Sequence, residues 1–143
     1  MMKKQFLLLS PHAPVFSYRF WRILWCAQEE AASRGSAADK VIEIPAADMP
    51  PLSQGLFAVE HIHLHHPLLV STTQLPADLM GKLLKVRKAT CSLSSPDEGY
   101  IYFPSGELFV SCAKDAIRSH NPLSGKVVLQ NLWNQVLLRG EDV

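Results

Sequence analysis

Residues 60–68 read EHIHLHHPL, which puts four of the chain's six histidines within positions 61 to 66. Imidazole binds metal, shuttles protons and attacks phosphorus, so three kinds of site are open: a metal centre, a phosphate-handling strand, or a strand with a polar outer face. If residues 56–66 are extended, side chains alternate between faces. His61, His63 and His65 then continue a face begun by Phe57 and Val59, while Ile62 and Leu64 turn toward a core. Two histidines two apart on a strand, such as His61 and His63, can share one zinc, but a stable site takes a third or fourth ligand. His12, His120, Glu60 or a cysteine are the donors on hand, and the spaced Cys/His pairs of structural zinc modules are absent. No metal or other cofactor is therefore assigned. Period-two patterning alone already explains most of the stretch as an ordinary strand. Its neighbouring imidazoles would repel one another once protonated, weakening the strand as pH falls.

The same residues, HIHLH at 61–65, resemble the H-φ-H-φ-H-φ-φ motif of the histidine-triad nucleotide hydrolases, where φ is apolar and the middle histidine attacks phosphorus. The resemblance implies a small phosphate-acting hydrolase with His63 as nucleophile, flanked by His61 and His65. It covers residues 61–67. The last two apolar positions are occupied by His66 and Pro67, and the glycine-rich segment of that family has no counterpart before them.

Other catalytic signatures are missing. Gly125-Lys126 lacks the Ser/Thr after lysine and the earlier glycine of a phosphate-binding loop. No serine lies in G-x-S-x-G. Cys26, Cys91 and Cys112 are odd in number and widely spaced, which reads as three reduced thiols in a cytoplasmic protein. The start, MMKKQFLLLSPHAPVFS, has an apolar run of Phe6 to Leu9 only, too short for a secretory leader. No run approaches the roughly 20 apolar residues of a membrane span, so no membrane association is expected.

Binding is the broader class left open. Net charge is +1, so nucleic acid could be attracted only by a local patch. Lys82, Lys85, Arg87 and Lys88 form one, near the aromatic run of Tyr100, Tyr102, Phe103 and Phe109, and basic residues beside stacking aromatics suit single strands. Protein contacts have separate support. Charged residues make up 19% of the chain, against roughly 25% in soluble domains, which leaves apolar surface for a partner or a second copy. Tyr18, Trp21 and Trp25 form an aromatic strip of the residue types that dominate interface hot spots.

The elements that would position these groups follow from periodicity. Lys4–Ser10 reads as a buried strand ended by SPHAP. Val15 to Ser33 reads as a helix with Phe16, Phe20, Ile23, Leu24, Ala27 and Ala31 on one face and the Tyr18/Trp21/Trp25 strip beside it. Its apolar arc is wider than one sheet face can cover. Lys40–Ile44 reads as a second strand and Leu56–His66 as a third, continuing past Pro67 through Ser71. A helix starts at Pro76, with Leu79, Leu83 and Val86 buried. Tyr100–Cys112 reads as a hairpin turning at PSG, and a last helix spans Lys126 to Leu138.

The expectation is one α+β domain over residues 1–143, with a mixed or antiparallel sheet. A ferredoxin-like βαββαβ core followed by a hairpin and helix fits this order. The function expected is a cytoplasmic binding or assembly module contacting partners through Tyr18, Trp21 and Trp25. The alternatives are a metal-dependent or phosphate-acting hydrolase using His61, His63 and His65, and a nucleic-acid-binding domain using Lys82, Lys85, Arg87, Lys88, Tyr100 and Tyr102.

Overall fold

A computed structural model describes residues 3–28, 36–45, 49–119 and 128–140. Among the described residues six strands form one mixed sheet: β1 (Lys4–Leu8), β2 (Trp21–Ala27), β3 (Lys40–Glu43), β4 (Leu68–Ser71), β5 (Thr90–Ser95) and β6 (Glu98–Phe103). Their order across the sheet is β3-β2-β1-β4-β6-β5. The first four run parallel, and β6 is antiparallel to both β4 and β5. Helices α1 (Pro51–Phe57), α2 (Ala77–Leu83), α3 (Gly106–Arg118) and α4 (Leu129–Leu138) complete the α+β architecture, with a 3-10 turn at Val59–His61. None of the described helices is long and apolar enough to cross a membrane.

The sheet is covered on both faces. Leu7, Leu24, Val70, Ile101 and Phe103 meet α1, α3 and α4 on one side. Phe6, Leu8, Ile23, Trp25, Leu69 and Tyr102 meet α2 and the loop between β1 and β2 on the other. Central parallel strands buried on both faces lose the alternation of a half-buried strand and read as continuous apolar runs. That is why WRILWCA, expected within a helix, is strand β2: its wide apolar arc is two strand faces, Trp21/Ile23/Trp25 and Leu24/Cys26. Residues 29–35, the end of that expected helix, lie outside the described residues, as do His120, the NPLSG turn and Gly125-Lys126.

Two further expectations change. Residues 56–66 are not a strand: α1 opens at Pro50-Pro51, ends at Phe57, and passes through the 3-10 turn into a loop. Pro51 stands at the first helical position, where its missing amide is not needed. Gly55 lets α1 approach α3 closely, since a Cβ there would lie 3.1 Å from Cζ of Phe109. The second change is at PSG, which starts a helix instead of turning a hairpin. The Oγ of Ser105 accepts from the Leu108 amide at 3.2 Å, capping α3, and Phe109, Cys112, Ala113 and Ala116 form its buried stripe. The hairpin is β5–β6, turning at residues 96–97 before Gly99, whose φ of 135° suits glycine alone. β1 and β2 are immediate parallel neighbours, not split by a strand between them, so the ferredoxin-like order is not the one formed.

Candidate functional site

The histidine segment uses its backbone more than its imidazoles. Gln5, buried at the start of β1, pairs with His63 through both amide groups. Its Nε2 donates to the His63 carbonyl at 2.9 Å, and its Oε1 accepts from the His63 amide at 2.7 Å. Arg22 of β2 donates to the His61 carbonyl at 2.7 Å. The first amides of α3, at Gly106 and Glu107, donate to the carbonyls of His66 and Leu64. The loop therefore closes the amino ends of β1 and β2 and occupies the amino end of α3. His63 and His65 are exposed, and the single ring pair in it is His63 with His66, 5.0 Å between centroids. The expected ladder of His61, His63 and His65 is not formed, because no strand sets it. Among the described residues no three His, Cys, Asp or Glu side chains are grouped to hold a metal.

The aromatic strip is inside the molecule. Trp25 is 0% exposed and donates its indole N–H to the Ser10 carbonyl at 2.9 Å. Trp21 donates to the Met80 carbonyl at 3.2 Å and Tyr18 to the Leu75 carbonyl at 2.7 Å, both buried. These bonds tie β2 to the β1–β2 loop and to α2, and that loop to the segment before α2. A partner cannot reach the strip in this fold. The stacking platform expected at 100–112 is likewise absent: Tyr102, Phe103 and Phe109 are buried on opposite faces of the sheet. Lys82, Lys85, Arg87 and Lys88 do remain exposed around the end of α2.

What the fold assembles instead is a cleft of about 530 Å³ at the amino end of β1, between Phe20 and Tyr102. Pro67, Leu84 and Pro104 make the rest of its apolar lining, and Lys4, Lys85 and Arg87 supply its charge. No described lining residue carries a carboxylate. Lys4, the first residue of β1, is 8% exposed and points to the α2 side. Its Nζ donates to the carbonyls of Leu83 (3.1 Å) and Val86 (2.9 Å) and to the Tyr102 hydroxyl (2.8 Å), and it sits 4.7 Å from the Tyr102 ring centroid. The Tyr102 hydroxyl in turn donates to the Val86 carbonyl at 3.0 Å.

Burial, aided by the Arg87 guanidinium, lowers the Lys4 pKa to about 8. Burial also pushes the Tyr102 hydroxyl up to about 12. With three donors bound to three oxygens, Lys4 contributes positive potential to the cleft and no spare hydrogen bond. Arg87 donates through one guanidinium nitrogen to the carbonyls of Leu84 (3.2 Å) and Val86 (3.3 Å), so the exposed Lys85 and the rest of the Arg87 guanidinium are the groups left to meet a ligand directly.

Phe20 forms the lip, 44% exposed, with the Arg19 guanidinium 4.8 Å from its ring centroid. Its φ is 72°, the sole positive value among the described non-glycine residues. A bulky side chain held in the left-handed region costs about 1–2 kcal/mol, and such strain gathers at binding sites. Sequence reasoning missed this cleft, although a lysine opening an apolar strand was its one available signal. Nothing in the sequence marks Phe20 as a residue with positive φ. The chain matches no protein-family model, no curated protein and no solved structure.

Proposed function

We propose that the protein is a binding module that holds an apolar acid, an aliphatic or aromatic body ending in one carboxylate, in the cleft between Phe20 and Tyr102. The observation that carries this reading is an apolar cleft whose charged lining is entirely cationic, with a strained aromatic at its lip. The volume falls in the roughly 300–1,000 Å³ range of small-molecule sites. An acid entering there meets the field of Lys4 and the exposed Lys85 and Arg87, while its body packs against Phe20, Pro67 and Leu84. Titration with 4-phenylbutyrate, followed by amide NMR shifts, tests it. Saturable shifts at residues 84–87 and 102–103 are expected, about tenfold weaker in Arg87→Ala and for 4-phenylbutan-1-ol. Phe20→Gly relieves the backbone strain, so it should lose affinity without losing the fold. An alcohol that binds as well as the acid, or no saturation at all, ends the reading.

A second reading, self-association, is supported by Val15, Phe16 and Phe20, three large apolar side chains exposed along the β1–β2 loop. It moves the contact from the buried tryptophans to that loop. Sedimentation of the wild type and of Phe16→Asp distinguishes it. A dimer that dissociates in the variant supports it, and a wild-type monomer at high concentration removes it.

A further inference from the structure

The sheet ends differently on its two sides, where β3 and β5 are the outermost strands. An edge strand carries a row of backbone N–H and C=O groups ready to pair with another strand, and short length, charge and proline discourage that pairing. β3 has such protection: it is four residues long, and Lys40 and Glu43 at its ends are exposed. β5 has little. Its six residues, TCSLSS, include no charge and no proline, and Ser92, Ser94 and Ser95 are exposed. β6 occupies one side of it. On the other side no described residue bonds to the backbone of residues 90–95. The register shift of the hairpin falls between Leu93 and Ser95, which leaves Thr90 to Leu93 in regular pairing with β6.

The charges around β5 change sign from one end to the other. Lys85, Arg87 and Lys88 come before it, and Asp97 and Glu98 come after it. Antiparallel pairing of two identical strands sets the basic end of each beside the acidic end of the other, whereas parallel pairing sets like charges together. That order of charges makes the strand its own complement. We infer that β5 pairs antiparallel with β5 of a second copy about a two-fold axis at Ser92, joining the two sheets into one. In that register Ser92 lies opposite Ser92, and Cys91 lies opposite Leu93 of the other copy. Cys91 and Leu93 already pack against the core that α1, α3 and α4 cover, so their pairing extends this apolar layer across the axis. The contact is isologous and closes on itself, because the edges left over are the charged β3 strands. An edge this short buries less than the roughly 1,200 Å² of a standard interface, so the pair is weak and reversible.

Sedimentation velocity of the full chain under reducing conditions, from about 10 µM to about 1 mM, tests the inference. The wild type should shift from monomer toward dimer across that range. Ser92→Lys and Ser92→Glu should each stay monomeric, because the axis sets like charges opposite each other. Mixed in equal amounts, the two variants should regain the dimer to within about tenfold of the wild-type affinity. Ser92 is exposed, and unchanged circular dichroism verifies the fold of both variants. Phe16→Asp should leave this dimer intact, which separates it from a contact through the β1–β2 loop. A wild type that stays monomeric, a Ser92→Lys variant that still dimerises, or a mixture that stays monomeric overturns the inference.

Discussion

A lysine with 8% exposure in an apolar sheet must either find acceptors or give up its proton. Lys4 does some of each: three oxygens receive its N–H groups, and burial holds its pKa at about 8 instead of 10.5. Between those two values the unfolded chain binds a proton there that the folded chain has released. Raising the pH through that window therefore stabilises the folded state through this residue. Cys26 acts in the opposite sense. Burial pushes its thiol up to about 12, so the unfolded thiol ionises above pH 9 while the folded one does not. Tyr102, pushed up to about 12, acts in the same sense as Cys26. The wild-type curve mixes all three, and comparison with Lys4→Met isolates the lysine. The wild-type advantage over Lys4→Met should grow by about 1–3 kcal/mol from pH 8 to 10.5. Urea denaturation at three pH values measures it, and a difference that stays flat would show that Lys4 keeps an ordinary pKa.

At the scale of elements, the histidine loop and α3 depend on one missing Cβ. A Cβ on Gly106 would lie 2.6 Å from Cγ2 of Ile62 and 2.7 Å from the His63 carbonyl oxygen. Ile62 can shift, but the carbonyl is held by Gln5. Gly106→Ala should therefore cost about 1–3 kcal/mol, and thermal unfolding would show it. A variant as stable as the wild type would mean that the loop yields freely. The same junction shows where the sequence was legible. PSG does end a strand, β6, but it opens helix α3 and not the return strand of the expected hairpin. The following residues, ELFVSC, carry apolar groups that suit either period, and only the packing of Phe109 and Cys112 against the sheet decides for helix. α2 was legible because Pro76 and the charges at its ends are local signals. The 56–66 segment was not, since its alternation coincides with a helix, a turn and a loop whose shape is set by Gln5 and Arg22, distant in sequence. The cleft was illegible for a similar reason: residues 4, 20, 85, 87 and 102 meet only when β1, the β1–β2 loop, the segment after α2 and β6 are brought together.

For the molecule as a whole, the low proportion of charged residues has an internal explanation. A sheet covered on both faces needs two cores, and the tryptophans expected to be contact residues fill the second one. Trp25 pairs in register with Leu8 on β1 and Val41 on β3, packs in the layer containing Phe6, Ile23 and Leu69, and fixes the end of β1 through the Ser10 carbonyl. Truncating a buried tryptophan typically costs about 3–5 kcal/mol, out of a total stability of about 5–15 kcal/mol. Removing the indole also leaves the Ser10 carbonyl without its buried donor, which adds to the loss. Trp25→Ala should therefore melt well below the wild type or fail to fold, with the two faces lost together because β1 and β2 serve both cores. Trp21→Ala should follow the same course, since its side chain is also buried and holds Met80 of α2. Circular dichroism melts beside sedimentation distinguish this from a contact role. An interface residue would leave the melt in place and change the mass, whereas a core residue moves the melt at every protein concentration.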